Sequence, residues 1–90
     1  DLAEFDKNNV HKILLVMQKE IQNAVEPIDY DSILLAIQKE TGQSGRNLYM
    51  PLNVVFTDNK SAPQITELLA IMPKKNVEIM IANALKSLNQ

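Results

Sequence analysis

The chain has 90 residues, 46% apolar and 22% charged, with a formal net charge of −2. That allows one small domain, burying roughly 60–65% of its unfolded surface, and it is far less basic than a dedicated nucleic-acid binder. The lack of cysteine excludes disulfides and thiolate metal sites, no apolar run nears the roughly 18–20 residues that span a bilayer, and the acidic start DLAEFDKNN is no signal peptide.

In chain order, the first predicted element is a long helix over 3–25. Val10, Leu14, Met17, Ile21 and Val25 recur at steps of three and four, a stripe widened by Ile13 and Val16. Pro27 cannot continue it, so the chain turns there. Asp31 or Asp29 then suits the N-cap of a helix through Ser32–Thr41, with Ile33, Leu34 and Ile37 inward. Gly42 ends that helix, because a left-handed backbone costs glycine nothing. GQSGRN follows as a polar loop.

The stretch 48–57, LYMPLNVVFT, reads as a buried strand by propensity, yet it has no strand to pair with, and unpaired ladder groups are costly when buried. Coiled into a helix, it places Leu48, Leu52, Val55 and Phe56 on one face, with Asn53 and Thr57 off it. Pro51 is tolerable only near the first turn, so the start is expected at 47–50. Burial of Phe56 outweighs the few tenths of a kcal/mol that each β-branched residue costs a helix. Ser61 or Ala62 precedes Pro63, which suits a first turn. That next helix runs through Ile65, Leu68, Leu69 and Met72 until Pro73. A last helix from about Lys75 turns Val77, Met80, Ile81, Ala84, Leu85 and Leu88 inward. The expected fold is all-α: a compact orthogonal or cage-like bundle of about five helices.

Residues 38–85 resemble the C-terminal anticodon-binding domain of bacterial-type glutamyl-tRNA synthetase. Leu48-Tyr49-Met50-Pro51-Leu52 matches the start of that family's motif helix and Thr57 its threonine. Ala62-Pro63 matches the small-residue–proline pair, Ile65 an apolar contact, and Glu67-Leu68-Leu69-Ala70 with Lys74 the remainder. The chain departs at Asn53, where the family has a base-reading arginine, at Asp58 in place of glycine, and at Pro73 in place of the glycine of a Gly-Lys turn. Asparagine offers a donor and an acceptor to a base edge but not the guanidinium fork.

The resemblance implies a class I aminoacyl-tRNA synthetase anticodon-binding fold over residues 1–90, with 1–45 as a helical N-terminal part and 46–90 as the motif region. The start at Asp1 rather than Met suggests a piece of a longer protein. The implied RNA contacts are Arg46, Asn53, Lys60, Ala62, Pro63, Ile65, Lys74 and Lys75. The implied partners are the tRNA anticodon loop and a catalytic domain of the same chain. A monomer in the cytoplasm is expected, with no membrane contact. No cofactor is expected in this piece, and ATP and Mg²⁺ serve the parent ligase.

Read without that resemblance, the same cations are ordinary solubilising residues and Asn53 is a polar residue on an outer helix face. Residues 1–45 hold eight acids against four lysines, a net of −4, whereas 46–90 hold five cations against three acids, a net of +2. Any polyanion would therefore meet the C-terminal half. No catalytic constellation is present. His11 has no partner at triad or ligand spacing, and Glu4, Asp6, Glu20, Asp29 and Asp31 lack metal-loop spacing. The nucleotide-binding signatures of the synthetases are absent as well. Tyr49 and Phe56 could stack a base, although Phe56 suits the core better. Two functions remain: an RNA-binding module of a glutamate–tRNA ligase, or a helical protein-interaction module that docks a partner through an apolar groove.

Overall fold

Asp6 decides where the first helix begins. Its carboxylate accepts hydrogen bonds from the Asn8 and Asn9 amides at 2.9 and 3.3 Å, satisfying two of the donors that a helix start leaves over. Helix α1 therefore runs Lys7–Gln22, and Leu2–Glu4 form a separate 3-10 turn. The computed structural model describes residues 2–59 and 64–89. The predicted helix over 3–25 is thus too long at both ends. Asn23 caps α1, and Val25, expected in the apolar stripe, lies beyond the helix and is 84% exposed.

Helix α2 spans Tyr30–Thr41. Of the two cap candidates it uses Asp29, which accepts from the Ser32 amide at 3.2 Å and the Ser32 hydroxyl at 2.8 Å. Gly42 ends α2 at φ 73°, its amide donating to the Gln38 carbonyl at 2.9 Å. Helix α3 spans Arg46–Thr57, so the run of strand-forming residues is helical. Helix α4 spans Ile65–Ile71 and α5 spans Lys74–Leu88. Met72 is extended between them (φ −90°, ψ 139°), as expected for a residue whose α conformation would clash with the following proline ring. The predicted start of α4 at Pro63 lies outside the described residues. Among the described residues there is no strand.

Helix α1 is the central post. Val10, Ile13, Leu14, Met17 and Ile21 are each at most 1% exposed and pack into one core with Ile33, Leu34 and Ile37 of α2 and Val77, Ile81 and Leu88 of α5. Helix α3 adds Leu48, Leu52 and Phe56, and α4 adds Ile65 and Leu69. Each fully buried aliphatic side chain contributes about 1.5–3 kcal/mol of transfer free energy, which offsets the ordering of the chain. Helix α5 runs antiparallel to α1. Its first residue, Lys74, donates from Nζ to the Ala24 carbonyl at 2.7 Å just past the end of α1, while Ala84 and Ser87 share a recess with Leu2 at the other end.

Candidate nucleic-acid interface

The motif helix α3 is held on more than one side. Pro51, Leu52, Asn53 and Val54 are consecutive and all buried, because α4 and α5 both pack on this helix. Periodicity alone places Asn53 off the apolar face, yet it is only 6% exposed, on a helix that packs against both α4 and α5. It is the one polar side chain in the buried set of the described residues. Asn53 therefore does not stand on an outer face, and Val55, assigned to the inner one, is only half-buried.

Pro51 is the sixth residue of α3, beyond the first turn where it was expected to be confined. Having no N–H, it leaves the Asn47 carbonyl without that helical bond. The helix starts earlier than 47–50 because the Gly45 carbonyl accepts from the Leu48 and Tyr49 amides at 3.1 and 2.9 Å.

The end of α3 explains two motif positions. The Thr57 hydroxyl lies 2.6 Å from the Asn53 carbonyl and accepts from the Asn59 amide at 3.1 Å, tying the last turn to the chain that leaves it. Asp58 has φ 59° and ψ 24°, the left-handed conformation that glycine adopts freely and that costs other residues strain. The glycine of the family's motif answers this backbone need, and aspartate is among the better substitutes.

The implied contact cations among the described residues, Arg46, Lys74 and Lys75, do not form one cluster. Arg46 is exposed at the first position of α3, next to Asn47, which shares a recess with Asn9 and Val10 near the start of α1. Lys74 is held at Ala24, past the other end of α1. About fifteen helical residues at 1.5 Å each separate these points, roughly 20 Å. Lys75 is exposed beside the engaged Lys74. Ile65 is 2% exposed and belongs to the core rather than to a surface. Lys60, Ala62 and Pro63 lie outside the described residues. Tyr49 is 36% exposed, whereas Phe56 is buried at 7%.

The carboxylates have local roles. Asp6 and Asp29 are helix caps. Lys19 and Glu40 form an exposed ion pair at 2.9 Å, and that bond, with the negative charge behind it, raises the Lys19 pKa. Among the described residues no group of three or more His, Asp or Glu side chains could hold a metal ion. Also among them, no helix is long and apolar enough to cross a membrane. Three carboxamides that sequence reasoning did not single out, Asn9, Gln43 and Asn47, gather around one recess. Gln43 and Asn47 come from the polar loop GQSGRN and Asn9 from α1, more than thirty residues earlier, so no local pattern joins all three.

Comparison with known proteins points one way. Glutamate–tRNA ligase 1 of Levilactobacillus brevis is 34% identical over 87 residues, covering 93% of this chain and 17% of that protein. The glutamate–tRNA ligase of Limosilactobacillus reuteri subsp. reuteri is 37% identical over 71 residues, 79% of this chain and 14% of that protein. A glutamate–tRNA ligase 1 of Caldicellulosiruptor saccharolyticus is 32% identical over 72 residues, 78% and 15% respectively. The chain thus spans less than a fifth of the length of these curated relatives. No family profile matches the chain, and no solved structure matches it.

Proposed function

Since the chain belongs to the glutamate–tRNA ligase family, we propose that it is the C-terminal anticodon-binding part of such a ligase. It binds the anticodon loop of tRNA and so aids selection of the cognate tRNA. A catalytic domain elsewhere in the same polypeptide then joins glutamate to the tRNA in the cytoplasm, with ATP and Mg²⁺. Residues 1–90 act as one monomeric domain, in which 1–45 support the motif region 46–90. The observation that carries this reading is the identity over 87 residues to a glutamate–tRNA ligase, which runs through nearly the whole helical core.

In this reading Arg46, Lys60 and Lys75 neutralise phosphates, and Ala62-Pro63 meets the bases. Asn53 and Ile65 act from beneath the surface, Asn53 by packing α3 and Ile65 by anchoring α4. Lys74 is shared between the Ala24 carbonyl and the RNA. Three phosphate contacts on a single-stranded loop predict that log K falls with log salt at a slope of roughly −2. The test is a titration of the 90-residue chain with a tRNA anticodon stem-loop, followed by amide chemical shifts. Shifts at Arg46 and Lys75 that weaken with salt support the reading, and their absence at low salt overturns it.

A specific observation favours a second reading, the protein-interaction module. Val25 and Ile71 are 84% and 80% exposed, and their neighbours Glu26, Pro27, Ala70 and Met72 share one recess of about 420 Å³. The sequence upstream of Asp1 discriminates: a domain with ATP-handling motifs supports the ligase, and its absence supports the adaptor.

A further inference from the structure

At the corner where the start of α1 meets the start of α3 lies a recess of about 100 Å³. Asn9, Gln43 and Asn47 line it together with the apolar Phe5 and Pro51 and with Asp6. Among the described residues none of the three carboxamide side chains hydrogen-bonds to protein. Each therefore offers one acceptor and two donors. The volume is well below the roughly 300–1,000 Å³ of drug-sized ligand sites. It suits the edge of one planar ring, with an aromatic and a proline side chain in its lining to meet the ring's apolar surface. Asp6, the one charged group lining it, repels phosphate and can accept from an exocyclic amino group. The exposed cations Arg46 and Lys7, each next in sequence to a lining residue, are placed for the flanking phosphates.

We propose that this recess reads one unstacked nucleobase bearing an exocyclic amino group, the Asn9, Gln43 and Asn47 carboxamides and the Asp6 carboxylate meeting its edge. The proposal rests on the RNA-binding reading above, and it moves base recognition from buried Asn53 to the recess beside Pro51. Single-stranded loops are where proteins read bases through such edges, and amide groups left unmatched by the wrong base supply discrimination.

The test uses fluorescence anisotropy with a labelled anticodon stem-loop RNA and the same hairpin carrying abasic loop positions. Asn9→Ala, Gln43→Ala and Asn47→Ala each remove an exposed or half-buried amide, so the fold is retained. Each is expected to weaken binding roughly two- to tenfold, the loss of about one net hydrogen bond, with the salt slope unchanged. Asn47→Asp, which keeps the shape but removes the donor and adds charge, is expected to weaken it further. The variants should also lose the preference of the wild-type chain for the intact loop over the abasic one. Wild-type binding with all four variants equal to it overturns the recess and leaves the RNA-binding reading standing. No binding by the wild-type chain at low salt overturns both.

Discussion

Replacing Tyr30 by phenylalanine should stabilise this protein. Tyr30 opens α2 with only 5% of its surface exposed, and its hydroxyl is buried with no hydrogen-bond partner among the described residues. Mutational data put the cost of burying such a group at about 1–3 kcal/mol relative to water. Phenylalanine removes that cost and leaves a void of roughly 10 Å³, which at about 24 cal/mol per Å³ returns only about 0.2 kcal/mol. The net gain is about 1 kcal/mol, or a melting temperature roughly 4–8 °C higher for a domain of this size. In urea unfolding the midpoint should rise with the slope unchanged.

A pH signature accompanies this gain. Burial, reinforced by the negative charges of Glu26 and Glu78, raises the Tyr30 pKa above its ordinary value of 10. Above pH 10 the unfolded chain releases the phenolic proton while the folded one keeps it, so the unfolded state binds fewer protons and stability falls with rising pH. The phenylalanine variant should lack this alkaline loss, and the stability difference between the two proteins should widen as pH rises past 10. A destabilisation of 1 kcal/mol or more in Tyr30→Phe at neutral pH would mean that the hydroxyl is hydrogen-bonded in solution, refuting the reasoning.

Asn53→Ala should cost about 1–3 kcal/mol in urea unfolding, because a buried amide and its packing are lost, and RNA affinity should fall only as far as the fold does. Asp58→Gly relieves the left-handed position at the end of α3 and should stabilise by up to about 1 kcal/mol, read as a higher midpoint. Lys74→Met should cost about 1 kcal/mol through its bond to the Ala24 carbonyl, whereas Lys75→Met should leave stability unchanged and reduce the salt slope of RNA binding by about 0.7. Ser32, through its hydroxyl first and then its amide, holds the Asp29 carboxyl below its ordinary pKa. The stability this contributes is present above the ordinary carboxylate value and lost as pH falls through the lowered one. Unfolding midpoints measured on acidification should show that loss in the wild type and not in Asp29→Asn.

Much of the architecture was legible locally. Gly42 ended α2 where its backbone freedom required, Pro73 separated α4 from α5, and the stretch 48–57 coiled because an isolated strand would have left its peptide groups unpaired. The stripe of α1 was correct through Ile21. It failed at Val25 because periodicity carries no record of where a chain leaves a helix. The start at Lys7 was missed because the cap is a single carboxylate, and the helical pattern runs through it.

Within the 90 residues, then, the sequence alone determined helical character, element order and kinship to the glutamate–tRNA ligases, since each depends on nearest neighbours along the chain or on matched residues. Tertiary structure alone decided which polar groups reach water. Asn53 went inside on a helix that packs against both α4 and α5, Lys74 was drawn to a carbonyl fifty residues away, and Arg46 was left at the far end of α1. Burial sums over all packing partners at once, and a one-dimensional pattern records only the first of them.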